Sequence, residues 1–165
     1  MPVQRLNHAV LYVRDVDRSV AFYADTLGFR AVNAMPGRAA FLQAAGSAND
    51  HDLALFAIGT AAGDSTAGRA TVGLYHLAWE VDTLAELRRL AEVLTQHGAL
   101  VGASDHGTTK ALYAHDPDGL EFEVCWLVPA DRIPADVEAM TAPLDLEAEI
   151  ARYGATTLGG VGVSR

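Results

Sequence analysis

Cysteine is nearly absent from this chain. Cys125 is the only one in 165 residues, so no disulfide can form within the chain, and a reducing, cytoplasmic setting is expected. Basic clusters are missing too. The net charge is −9 with a pI near 4.9, and lysines and arginines gather nowhere into a patch, which argues against a nucleic-acid partner. No apolar run is long enough to cross a bilayer, and Met1 leads through the polar Gln4-Arg5 into the first strand without an apolar leader, so no membrane partner is expected. What the chain does have is 50% hydrophobic residues, ample for one compact domain.

It also has an approximate internal repeat. Leu6-Asn7-His8-Ala9-Val10-Leu11-Tyr12-Val13 resembles Leu74-Tyr75-His76-Leu77-Ala78-Trp79-Glu80-Val81. Each segment is followed by a helical pattern that closes on a glycine, Gly28 in the first half and Gly98 in the second. Repeats of this kind stack as equivalent units. Histidines at matched points of two such units can converge, and converging histidines suggest a metal.

The spacing predicts a strand over 6–13 and a helix with Asp17 as N-cap, with Val16, Val20, Tyr23 and Leu27 on one face. Strands follow at 38–43 and 52–58. The second half predicts a strand over 73–81, then a helix opened by the capping box Thr83-Leu84-Ala85-Glu86. The buried stripe of that helix is Leu84, Leu87, Ala91 and Leu94. Strands near 99–103, 110–115 and 120–127 follow, with the turn His115-Asp116-Pro117-Asp118-Gly119 before the last. A further helix is expected over 144–153 with Pro143 near its first turn, then a small polar tail over 154–165. The expected organisation is one domain of two βαβββ modules, about 4–58 and 73–128, joined by a linker at 59–72 and followed by an extension over 129–165.

A lone histidine on a strand is ordinarily a surface or core residue; the matched placement of His8 and His76 is what singles them out. The third candidate is Glu123. In a strand that alternates faces, Glu121 and Glu123 point away from Leu120, Phe122 and Val124. A carboxylate among Phe122, Val124 and Trp126 is costly to bury unless a cation neutralises it. An edge strand with both carboxylates in water fits the same pattern.

These segments, with Tyr113-Ala114-His115-Asp116-Pro117-Asp118-Gly119-Leu120-Glu121-Phe122-Glu123, resemble the vicinal oxygen chelate superfamily over about residues 5–128. That superfamily includes glyoxalase I, bleomycin-resistance proteins, fosfomycin-resistance enzymes and extradiol ring-cleavage dioxygenases. The resemblance implies an α+β fold in which two paired βαβββ modules form a curved mixed sheet around a central metal pocket, with a C-terminal helical extension. It implies His8, His76 and Glu123 as metal ligands, Glu123 standing four residues after the turn glycine. A fourth ligand position falls near Leu55, where this chain is apolar. Two histidines and one carboxylate with open positions suit non-haem Fe(II), with Mn(II) or another divalent ion as the alternative. Leu120 departs from the asparagine common after the turn glycine.

Within the family the likeness to extradiol dioxygenases extends to His51, His106 and Tyr113. Taken singly, these are ordinary loop histidines and a core tyrosine. The resemblance implies that His51 moves protons and that His106 and Tyr113 hold the oxygens of an aromatic diol, with O2 as co-substrate. Trp79, Phe41 and Phe56 are candidate apolar walls and equally candidate core. A homodimer is the implied assembly. The alternatives are a glyoxalase- or fosfomycin-resistance-like lyase, isomerase or transferase, in which Glu121 or Asp52 would supply a fourth carboxylate, and a metal-free protein that sequesters a drug.

Overall fold

Each half of the chain follows the same β-α-β-β-β path, and the local chemistry explains why. In the first half β1 (Ala9–Val13) leads into α1 (Val16–Leu27), then β2 (Arg30–Met35), β3 (Ala39–Gln43) and β4 (Leu53–Ala57). The computed structural model describes residues 2–68, 70–138 and 140–160. It divides into one unit of residues 1–65 with 116–119 and a second of 66–115 with 120–165. Residues 161–165 of the expected tail lie outside the described residues.

In the first unit the strands run β1-β4-β3-β2, with β1 and β4 parallel and the others antiparallel. The N-cap of α1 is Asp15 rather than Asp17. Asp15 is extended, and its Oδ1 accepts from the amides of Asp17 and Arg18, both at 3.0 Å. Asp17 lies in the first turn, where its charge favours the positive end of the helix. Gly28 closes α1 in the left-handed conformation, φ 73°, which only glycine adopts without steric cost. The buried face of α1 is Val16, Ser19, Tyr23 and Thr26, so Val20 and Leu27 lie only at its margin. Two of its three buried hydroxyls are bonded: Thr26 donates to the Phe22 carbonyl within the helix, and Tyr23 donates to the distant Asp116 at 3.2 Å, while Ser19 Oγ has no hydrogen-bond partner. Burial first, then the Asp116 carboxylate, raises the Tyr23 phenol well above its ordinary value. The turn Asp116–Gly119 belongs to this unit, and Asp118 accepts from the Arg14 amide and guanidinium at 2.8 and 3.1 Å. β2 is exposed throughout, which explains why the hydrophobic pattern does not mark it.

The second unit repeats the order as β5-β8-β7-β6, with β5 (Leu77–Glu80), α2 (Leu84–Gln96), β6 (Leu100–Asp105), β7 (Thr109–His115) and β8 (Glu121–Leu127). β5 and β8 are parallel, as β1 and β4 are. Thr83 caps α2, accepting from the Glu86 amide. The buried stripe of α2 is Leu84, Leu87, Leu90 and Leu94; Leu90 takes the place expected for Ala91, which is only half-buried, and the helix packs over β6, β7 and β8. β5 is shorter than the predicted strand, and residues 74–76 precede it.

The extension starts with a short 3-10 turn and then adds a fifth strand to this sheet. Pro143 lies in β9 (Ala142–Pro143), paired with Ser104 and Asp105 of β6, and not in the first turn of the last helix. Asp145 caps α3 (Leu146–Tyr153), accepting from the Ala148 amide. Lys110, 1% exposed, holds α3 against the sheet: its Nζ is 2.5 Å from Asp105 and 2.9 Å from Glu149. Tyr153 is buried against Trp126, under the guanidinium groups of Arg132 and Arg152. No helix among the described residues is long and apolar enough to cross a membrane.

Candidate active site

His8 and His76 occupy the same place in their modules. Each stands one residue before the first strand, at the entry to a parallel pairing with the last strand. The parallel register also corrects the position of the missing fourth ligand. Ala9 pairs with Leu53 and Leu77 with Phe122, so the counterpart of Glu123 is Ala54, one residue before Leu55. It is apolar and 1% exposed.

In the first unit, Nδ1 of His8 lies 2.8 Å from Asn7 Oδ1. The amide oxygen only accepts, so Nδ1 carries the proton and Nε2 is left with its lone pair. The ring of His51 lies 4.5 Å from that of His8, and Phe41 meets His51 edge-on at 5.2 Å. Phe56 stacks edge-on to Phe41 at 6.0 Å. Nδ1 of His51 is 3.2 Å from the Asp50 carboxylate, which also takes the His51 amide at 2.9 Å. That amide, followed by the imidazole, holds the Asp50 carboxyl below its ordinary range. Asp52 is committed to its own loop: it accepts from the Ala44 amide, Ser47 Oγ and Asn49 Nδ2 at 2.7–2.9 Å. Those bonds leave it no freedom to serve as a fourth ligand.

In the second unit, β8 is an inner strand between β5 and β7, so the arrangement with both carboxylates in water does not occur. Glu123 is 9% exposed. Its Oε2 lies 3.2 Å from His76 Nε2. Two donors each about 2.1 Å from one octahedral ion stand about 3 Å apart, so the imidazole nitrogen and carboxylate oxygen fit a shared divalent cation. The other nitrogen, His76 Nδ1, is buried with no hydrogen-bond partner and lies 3.7 Å from Glu121 Oε1, which is equally unpartnered.

Tyr113 pairs with Glu123 across β7 and β8, and its ring lies 5.8 Å from that of His76. Burial first, then the charge of Glu123, pushes its phenol up to about 12, so it stays a neutral donor at physiological pH. Its hydroxyl is 2.8 Å from Nε2 of His106. On the other side of that ring, Nδ1 is 2.9 Å from the Met140 carbonyl. A carbonyl can only accept, so Nδ1 holds the proton and Nε2 accepts from the tyrosine. His106 opens onto a cavity of about 590 Å³ lined also by Thr108, Val137, Glu138, Met140 and Thr141. Burial first, then the charge of Glu123, pushes the Cys125 thiol up to about 12.

The structure thus brings together His8 with His51, and separately His76, Glu123, Tyr113 and His106. Among the described residues, no three histidine, cysteine or carboxylate side chains gather closely enough to hold a metal. Trp79 is half-buried in β5, opposite Val124. Sequence reasoning missed three participants. Asn7 and Asp50 each adjoin a candidate histidine in the chain, which was a visible signal. Met140 acts through its carbonyl, which no side-chain pattern reveals.

Comparison with known proteins extends this picture. Residues 5–124 match the Glyoxalase/Bleomycin resistance protein/Dioxygenase superfamily. A catechol-2,3-dioxygenase of Bacillus subtilis is 29% identical over 119 residues, covering 72% of this chain and 40% of that relative. The chain therefore spans less than half of that relative's length. Among solved structures, a glyoxylase/bleomycin resistance protein/dioxygenase domain from Frankia sp. EAN1pec superposes with a TM-score of 0.63 at 23% identity, over 75% of this chain and 92% of the other. The fosfomycin resistance protein of Listeria monocytogenes, solved as a mutant with Mn(II) and a dihydroxypropylphosphonic acid, gives 0.57 at 21% identity, over 74% and 90%. The repeated modules, their shared strand order and the match across most of the sequence make this chain a member of the glyoxalase/bleomycin resistance protein/dioxygenase superfamily.

Proposed function

We propose that this protein is a metal-dependent extradiol dioxygenase that opens the ring of a catechol-like vicinal diol with O2. The observation that carries this reading is the series in the second module: His106 at 2.8 Å from Tyr113, Tyr113 opposite Glu123, and Glu123 at 3.2 Å from His76. A candidate ligand pair adjoins a neutral phenol backed by an imidazole, which suits a ligand that presents two oxygens. The 29% identity to a catechol-2,3-dioxygenase supports the same reading.

His76 and Glu123 would hold the ion, with His8 as the third ligand that the repeat implies. Fe(II) is the first choice and Mn(II) the second. A bound divalent ion supplies a template for diol and O2 and a path for electrons between them. The side chains supply the rest. With its own proton given to His106, the Tyr113 oxygen accepts a hydrogen bond from a substrate hydroxyl, and His106 keeps that phenol aimed. His51, oriented by Asp50, accepts a diol proton and returns it, as an imidazole can near neutral pH. Phe41 and Phe56 offer edges to an aromatic ring.

A glyoxalase- or fosfomycin-resistance-like reaction is the second reading, and a fourth carboxylate would favour it. Asp52 is tied into its loop and Ala54 has no donor, so neither supplies a fourth carboxylate. The test is anaerobic loading with Fe(II) followed by oxygen-electrode assays over a panel of substituted catechols. Oxygen uptake with a visibly absorbing product is expected. Metal-loaded protein that consumes no oxygen with any of them would overturn the proposal.

A further inference from the structure

The cavity beside His106 has a wall that lies outside the part of the chain matched by the superfamily. That match ends at residue 124, while Val137, Glu138, Met140 and Thr141 line the cavity together with His106 and Thr108. The wall is fastened at several points. The Met140 carbonyl and Thr141 Oγ1 lie 2.9 and 3.3 Å from His106 Nδ1. Just beyond, Ala142 and Pro143 pair with Asp105 and Ser104 of β6. Gly107, at φ 80°, leaves no room for a side chain: a Cβ there would stand 3.0 Å from Val137 Cγ2 and 3.7 Å from Met140 Cγ. Glycine is thus needed both for its dihedral and for the close approach of the wall.

The volume, about 590 Å³, falls in the range of small-molecule sites, roughly 300–1,000 Å³. Val137 and Met140 give the wall its apolar surface. Met140 is 44% exposed, apolar area that a ligand in the cavity would take out of water. Among the described lining residues Glu138 is the one carboxylate, and neither lysine nor arginine is present. An anionic group here would meet a like charge and no cation. His106 belongs to cavity and site alike: its ring lines the cavity, and its Nε2 meets the Tyr113 hydroxyl at 2.8 Å.

We propose that the C-terminal extension builds a specificity pocket, which takes the ring substituent of the diol and selects an uncharged, apolar one of several carbons. Val137 and Met140 contact that substituent, and Glu138 turns carboxylates away. The inference rests on the reading of Tyr113 and His106 as the place where a diol is held.

Titration calorimetry without oxygen, on the wild type, Met140→Trp and Glu138→Lys, tests it with catechol, 4-butylcatechol and 3,4-dihydroxyphenylacetate. Each fully buried methylene is worth about fourfold in affinity, so 4-butylcatechol should bind the wild type at least about 10-fold more tightly than catechol. The carboxylated diol should bind several-fold more weakly than catechol. Met140→Trp fills the pocket and should remove the preference for the butyl chain. Glu138→Lys should bring the carboxylated diol level with catechol or above it, and this exposed position decides should Met140→Trp not fold. Equal affinity of the wild type for catechol and 4-butylcatechol overturns the proposal. So does a preference undiminished in Met140→Trp, or a carboxylated diol bound no better by Glu138→Lys. A wild type that shows the preference but consumes no oxygen when loaded with Fe(II) upholds the pocket and overturns the dioxygenase reading instead.

Discussion

Nε2 of His106 and the hydroxyl of Tyr113 lie 2.8 Å apart, joining the loop after β6 to the middle of β7. Because the Met140 carbonyl takes the Nδ1 proton, the phenol is the donor in this pair. The two side chains then act as one unit, and unit behaviour is measurable. Tyr113→Phe should fold normally and lower kcat on a catechol by about 10²-fold, a loss comparable to that of one hydrogen bond at a reacting oxygen. His106→Ala should cost a similar factor. The double variant should lose little more than either single, because contacting residues are not additive. Independent, multiplying losses in steady-state kinetics would show that the contact carries nothing.

His51 separates metal binding from proton transfer. It touches His8 and Asp50 and is not among the assigned ligands. His51→Ala should retain Fe(II) at wild-type stoichiometry by metal analysis while kcat falls about 10²- to 10⁴-fold, the range for a lost general base. Normal turnover in this variant would remove His51 from the mechanism. His8→Ala and Glu123→Ala should instead lose the metal.

Lys110 predicts a stability effect with a definite pH dependence. Its ammonium is buried between Asp105 and Glu149. Lys110→Met leaves Asp105 and Glu149 without their shared ammonium and should destabilise by about 3–5 kcal/mol, the cost of breaking a buried pair. Burial pushes the Asp105 carboxyl up, but Lys110 and the Gly107 amide outweigh it, and the net shift is downward. A carboxyl lowered on folding contributes stability above its ordinary value of about 3.9 and loses it as pH falls through the lower folded value. Thermal melts between neutral pH and strong acid should show the wild type losing stability more steeply below about pH 4 than Asp105→Asn.

The C-terminal segment is docked tightly enough for one methyl group to matter. A Cβ at Gly159 would run into the Leu127 carbonyl and the Trp126 indole, while the Gly159 amide bonds to the Asp82 carbonyl at 2.8 Å. Gly159→Ala should cost about 1–3 kcal/mol, typical of overpacking, and shift Trp126 fluorescence to the red as the segment lifts. An unchanged melt and spectrum would mean that residues 154–160 do not pack there in solution.

The elements with strong local signals were legible beforehand. The capping box at Thr83, the glycine stop at Gly28 and the Asp116–Gly119 turn all depend on chemistry within a few residues. The cap of α1 was misplaced by two positions because Asp15 and Asp17 are both good caps by composition, and only backbone dihedrals distinguish them. β2 had no hydrophobic alternation to find, since it is exposed along its length. Leu90 displaced Ala91 because both lie near the inner face of α2, and the packing leaves Leu90 buried and Ala91 half-buried. For the site, the histidines, Glu123 and Tyr113 stood out by repeat and motif. The hold of Met140 on His106 did not, because it depends on a backbone carbonyl supplied by distant chain.

By itself the sequence determined the repeated βαβββ order, the matched places of His8 and His76 in the two halves, and the acid in the last strand, because periodicity, caps and turns are local properties of the chain. Tertiary structure alone decided which atoms meet. Parallel pairing of β5 with β8 set Glu123 against one nitrogen of His76 and Glu121 opposite the other. A register shift of one residue would send both carboxylates to the opposite face of the sheet, and no stretch of sequence read alone contains that register.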